Sequence, residues 1–141
     1  VKLYTIGFTQ RTAADFFDAL KRAGVTRLID VRLNNVSQLA GYSKKNDLRY
    51  FLHEICSATY HHDLDLAPTK EMLEDYRAGR IAWPDYEAMF RTLLANRTID
   101  RTLFQGTPVL LCSELKAEHC HRRIVAEHAA RLLPDLEIEH L

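Results

Sequence analysis

Leu3-Tyr4-Thr5-Ile6-Gly7, then Thr12-Ala13-Ala14-Asp15, then Val25-Thr26-Arg27-Leu28-Ile29-Asp30-Val31-Arg32-Leu33: these pieces of the first 33 residues decide the fold. The first is a short run of strand-favouring residues that stops at a glycine. The second has the form of a helix start, and Phe16, Leu20 and Ala23 recur at helical spacing until Gly24 closes the segment. The third carries Leu28, Ile29 and Val31 without a polar face, as a strand buried on both sides of a parallel sheet does. Strand, helix and strand in this order predict a right-handed crossover, the repeating unit of an α/β domain.

Beyond that unit, Asn34 to Asn46 has no period and gathers Asn34, Asn35, Ser37, Gly41, Tyr42, Ser43, Lys44 and Lys45, which reads as a long loop. From Asp47 onward Leu48, Phe51, Leu52 and Ile55 mark a second helix, with Cys56 beside its apolar stripe as a small core residue. Ala58 to Leu66 reads as a third strand running into a loop. Its adjacent His61 and His62 would point to opposite faces, which argues against a metal there. Pro68–Arg80 and Pro84–Arg97 are two helical segments divided by Gly79, with Trp83 packed at their junction. A turn around Gly106-Thr107-Pro108 leads into the apolar run Pro108-Val109-Leu110-Leu111. A helix through Val125, Ala129, Leu132 and Leu133 follows, then an edge strand over Leu136 to Leu141. The expectation is a single domain spanning residues 1–141, α/β in class and three-layered, with a mostly parallel sheet and helices on both faces.

At 141 residues the chain is long enough to bury a core without a staple. Its 19 basic and 19 acidic residues balance, so a nonspecific grip on nucleic acid or an anionic membrane has no global electrostatic support. Three cysteines, an odd number unevenly spaced, do not make a disulfide framework and fit a reducing compartment. The opening run is too short for a signal peptide, and no stretch approaches the ~20 apolar residues of a membrane span. We therefore expect a cytoplasmic chain with no membrane partner.

The chemistry is expected between the end of the Pro108 strand, Cys112-Ser113-Glu114, and the head of the next helix, Cys120-His121-Arg122-Arg123. In an open α/β sheet, strand carboxyl ends face helix amino ends and form the binding crevice. Three readings stay open. Cys112 is a nucleophile whose thiolate the helix terminus, His121 and an arginine favour, with Glu114 or His121 moving protons. Alternatively Cys112, Cys120 and a histidine hold zinc, although the seven-residue gap and the adjacency of Cys120 and His121 are unlike the usual ligand spacing. In the third, Arg122, Arg123 and the helix terminus bind an anion while the cysteines pack. Asp30 and Arg32, near the end of the second strand, are either a buried bridge or part of the same site.

Thr5-Ile6-Gly7, Ile29-Asp30-Val31-Arg32, Ser37, Leu111-Cys112-Ser113-Glu114 and Cys120-His121-Arg122 together resemble the domain of unknown function 488 family, over nearly the whole chain. The resemblance implies a cytoplasmic α/β domain and recurrent motif positions at Gly7, Asp30, Arg32, Ser37, Cys112, Glu114, Cys120, His121 and Arg122, without implying an established reaction. Where the family carries His-Ser after the first glycine, this chain has Phe8-Thr9, leaving Thr9 to offer a hydroxyl. A second likeness is to rhodaneses, which also place an Ile-Asp-Val-Arg strand before a strand ending in a catalytic cysteine. Here a long polar insert separates Cys112 from Cys120, so sulfur transfer is held as a minor alternative.

The preferred expectation is an enzyme acting on a small anionic or nucleotide-like substrate. Cys112, Glu114, His121 and Asp30 are its catalytic candidates, and Arg32, Arg122, Gly7, Thr9, Ser37 and Cys120 its binding candidates. The alternative is a non-catalytic module for phosphate or nucleic acid. No metal or cofactor is assigned, and the oligomeric state is left open.

Overall fold

The computed structural model describes residues 1–35, 41–114 and 116–141. The elements run β1 (Lys2–Gly7), α1 (Ala13–Ala23), β2 (Arg27–Asp30), α2 (Lys45–Cys56), β3 (Thr59–His62), α3 (Lys70–Arg77), α4 (Trp83–Ala95), β4 (Pro108–Cys112), α5 (His121–Leu132) and β5 (Glu137–His140). The five strands form one sheet in the order β3-β2-β4-β1-β5, and each neighbouring pair is parallel. The fold is the expected three-layer α/β arrangement, with Ser37 of the long loop outside the described residues.

Local chemistry sets the element boundaries. The Thr12 side chain accepts from the Asp15 backbone N–H at 3.1 Å and starts α1, and Gly24, at φ 69°, ends it in a left-handed turn that other residues enter at a cost. The second strand is shorter than its apolar run. After the Val31 N–H bonds the Leu111 carbonyl, the Arg32 N–H turns back to Asp30 Oδ1 at 3.1 Å, and the chain leaves the sheet. Both edge strands have four residues and carry exposed polar or charged side chains, which discourages pairing with another chain.

Side chains alternate across the central strands and divide the interior into two cores. Ile6, Leu28, Val109 and Leu111 pack against Phe16, Phe17 and Leu20 of α1 and Leu48 and Leu52 of α2. Leu3, Ile29, Leu110 and Cys112 face Phe90 and Leu94 of α4 and Ile124, Val125 and Ala129 of α5. Crossovers lie on the first face up to β3 and on the second thereafter. The change occurs around β4, inserted between β1 and β2, so the carboxyl ends of these three strands open onto one crevice. Among the described residues, no helix is long and apolar enough to cross a membrane.

Candidate active site

Register brings the strand ends together: Gly7 pairs with Cys112, and Asp30 with Leu111. The segment after β4 is then pressed against β1. The Thr9 N–H donates to the Ser113 carbonyl at 3.0 Å, and the Arg122 guanidinium donates to the Glu114 carbonyl and, at 3.3 Å, to Thr5 Oγ1. The approach is so close that a Cβ on Gly7 would lie 1.5 Å from the Glu114 carbonyl oxygen. Gly7 is therefore required by packing, at a strand residue where its conformational freedom is not the point.

Cys112, at the end of the central strand, places Sγ 3.3 Å from His121 Nδ1. The opposite ring nitrogen, Nε2, lies 2.7 Å from the Val31 carbonyl oxygen, which can only accept. Nε2 must carry the proton, so in the neutral ring Nδ1 is the acceptor, with the Cys112 sulfur beside both nitrogens and 3.5 Å from Nε2. Cys120 joins them: its sulfur, that of Cys112 and a His121 ring nitrogen all lie within 4.8 Å of one another. Burial pushes the Cys120 thiol well up, and its hydrogen bond with Cys112 pushes the same way, so Cys120 remains protonated.

Adjacent Cys120 and His121, whose spacing is unlike that of usual metal ligands, nevertheless face one point, and the reason is local. Cys120 is the N-cap of α5, with extended backbone at φ −128° and ψ 138°, and only His121 has entered the helix. The change of backbone between them turns both side chains toward β4.

These groups lie at the base of a cleft of about 770 Å³. Its aromatic wall is Phe8, Tyr76, Trp83 and Tyr86; Trp83 stacks on Tyr86 and on His119. Arg32, Lys70 and Arg77 contribute positive charge, and Glu74 and Glu114 negative charge. Thr9 and Asn34 line the same space. Burial pushes the Tyr86 phenol up, and the adjacent thiols add to the effect, so it stays protonated.

Arg32 is held from behind. Its Nε and Nη2 donate to the two Asp30 carboxylate oxygens at 2.9 and 2.8 Å, and Nη2 also donates to the Ser43 carbonyl at 2.6 Å. Asp30 is fully buried and also accepts from the Tyr60 hydroxyl at 2.6 Å. Burial works against the Arg32 charge, but the hydrogen bonds and charge of Asp30 outweigh it and hold the guanidinium more firmly protonated than usual. The guanidinium carbon lies 5.2 Å from the centre of the Phe8 ring, a cation–π contact.

The expected residues thus fall into two groups. Cys112, Glu114, Cys120, His121, Arg32 and Thr9 line the cleft. Asp30, Gly7 and Arg122 lie outside its lining, where Asp30 orients Arg32, Gly7 admits the Glu114 backbone, and fully buried Arg122 holds that backbone down. Sequence reading did not find Tyr60 and Ser43, the partners of the Asp30–Arg32 pair, or the Val31 carbonyl that sets the histidine tautomer. Trp83 packs on Tyr76 and Tyr86, as its place at the helix junction predicts, and it also walls the cleft. His61 and His62 do diverge: exposed His61 faces partly buried Asp63 at 3.8 Å, while His62 Nε2 donates to the Arg32 carbonyl at 2.7 Å.

Residues 12–129 match the family model described as "Domain of unknown function DUF488". The chain belongs to the DUF488 family. The match takes in Asp30, Arg32, Cys112, Glu114, Cys120, His121 and Arg122 and begins after Gly7-Phe8-Thr9. No curated protein and no solved structure matches the sequence.

Proposed function

We propose that this DUF488 domain is an enzyme in which the Cys112 thiolate attacks a small anionic substrate, with His121 Nδ1 taking the thiol proton. The observation that carries the reading is the Cys112–His121 pair at the base of the cleft, with the tautomer fixed by Val31. A nucleophile within hydrogen-bond reach of a base that a third group orients is the arrangement thiol catalysis needs. The amino end of α5 directs a partial positive charge toward the same point. Cys120, kept protonated, supplies an S–H to the Cys112 sulfur.

Arg32 is the anion-binding group of this reading, because it lines the cleft and Asp30 and Ser43 hold it in place. Lys70 and Arg77 add charge at the same cleft, and the aromatic wall offers a face to a planar ring beside it, as a nucleotide-like substrate would require. Glu114, exposed on the segment after β4, is the candidate for returning a proton to the leaving group.

Alkylation rates test the proposal. Cys112 should react with iodoacetate at least about tenfold faster than the half-buried Cys56, as an activated thiolate does. His121→Asn should remove most of that advantage, and inorganic phosphate should protect Cys112. A Cys112 slower than Cys56 in the folded, metal-free protein would rule out the nucleophile role.

A further inference from the structure

The geometry points to a metal site: we propose that Cys112 Sγ, Cys120 Sγ and His121 Nδ1 bind one divalent cation of the zinc class, with the fourth coordination position open to the cleft. The inference goes beyond the nucleophile reading and does not depend on it. A sulfur bound to the ion is no longer free to attack, so the two describe separate states of one site.

Three observations carry it. First, the donors are already gathered, with their ligand atoms mutually within 4.8 Å and all three residues buried. Two sulfurs and one imidazole nitrogen are the soft and borderline donors that zinc prefers, and three protein ligands with an open fourth position are the pattern of reactive zinc centres. Second, the outer shell is in place. Metal-bound histidines donate their other ring N–H to a carbonyl or carboxylate, and the Val31 carbonyl receives the His121 Nε2 proton here. Third, the charge closes: two thiolates and a divalent ion make a neutral centre in a buried position, and the neighbouring Arg32 already has Asp30 as its ion-pair partner. Binding releases the two thiol protons to solvent. Among the described residues no fourth histidine, cysteine or carboxylate joins the cluster, and the cleft is the open side. The open position suits a water molecule or the oxygen of an anionic ligand.

The test uses the full chain, stripped with a chelator, kept reduced by a phosphine and titrated with cobalt(II). The expected result is one ion per chain, with the intense near-ultraviolet thiolate-to-cobalt band and the visible bands of tetrahedral cobalt. Cys112→Ser and Cys120→Ser should each weaken binding at least about tenfold, the loss that removing even an outer-shell partner causes. Cys56→Ser, which alters a thiol on the other face of the sheet, should bind as the parent does. Zinc should raise the unfolding temperature of the parent more than that of Cys120→Ser at the same concentration. His121→Asn can disturb folding, so Cys120→Ser, checked by far-ultraviolet circular dichroism, carries the decision. Absence of the thiolate band in the parent, or a band of undiminished intensity and affinity in folded Cys120→Ser, overturns the proposal. Alkylation of the metal-free protein separately decides the nucleophile role, so either reading can fail alone.

Discussion

At the scale of single residues, the absence of a side chain at Gly7 is as consequential as the presence of one at Cys112. A methyl group at position 7 would occupy the Glu114 carbonyl oxygen at 1.5 Å and approach an Arg122 nitrogen at 2.9 Å, so the segment after β4 must move. Gly7→Ala should therefore destabilise the fold by about 3 kcal/mol or more, in the range of severe overpacking, as read from the urea midpoint. A loss below about 1 kcal/mol would mean that the Glu114 backbone does not dock on β1. The Asp30–Arg32 pair works by similar logic. Every oxygen of the buried carboxylate has a donor, and both oxygens bind the Arg32 guanidinium, so we propose that Asp30 acts by holding Arg32 in place.

At the scale of elements, α5 does two things with two faces. Its first turn presents His121 to the thiol of β4, and its outer face ties it to α4. Arg123 pairs with Glu127 at 2.9 Å and with Glu87, while Arg91 pairs with Glu87 at 3.0 Å and Glu127 at 2.6 Å. Partial burial favours the neutral acids, but hydrogen bonds from Arg91 and Arg123 outweigh it and hold both carboxyls below their usual range. A lowered folded-state pKa contributes stability that is fully present above the unfolded value of about 4.3 and is lost as pH falls through the lowered ones. The four side chains are partly exposed, so solvent screening limits the network to about 1 kcal/mol. The double variant Glu87→Gln with Glu127→Gln should thus melt about 3 °C below the parent at pH 7, and the gap should close as pH falls below about 4. A gap that persists in acid would show that the network stabilises through packing rather than charge.

For the whole molecule, one sheet carries both cores, and β4, the central strand, contributes Val109 and Leu111 to one and Leu110 and Cys112 to the other. Neither core can be lost without uncovering that sheet. We therefore propose that the chain unfolds as one unit: far- and near-ultraviolet circular dichroism should follow a single coincident transition in denaturant. Two separated transitions would contradict a single domain.

The sequence by itself determined the layers. Helical spacing at Phe16, Leu20 and Ala23, the cap at Thr12, the stop at Gly24 and the apolar runs around Leu28 and Leu110 are local signals, and local hydrogen bonds and side-chain periods enforce them. It also marked Cys112 and His121, because a strand end followed by a helix start is legible from the pattern alone. Only the tertiary structure decided which marked residues meet. Arg32 and Arg122 look equivalent in sequence, yet strand order turns Arg32 to the cleft and folds Arg122 beneath the Glu114 backbone. Cys120 and His121 converge because one residue is extended and the next helical, while Tyr60, Ser43 and the Val31 carbonyl reach the site from segments far apart in the chain. Such meetings follow from strand order and register, which no local period encodes.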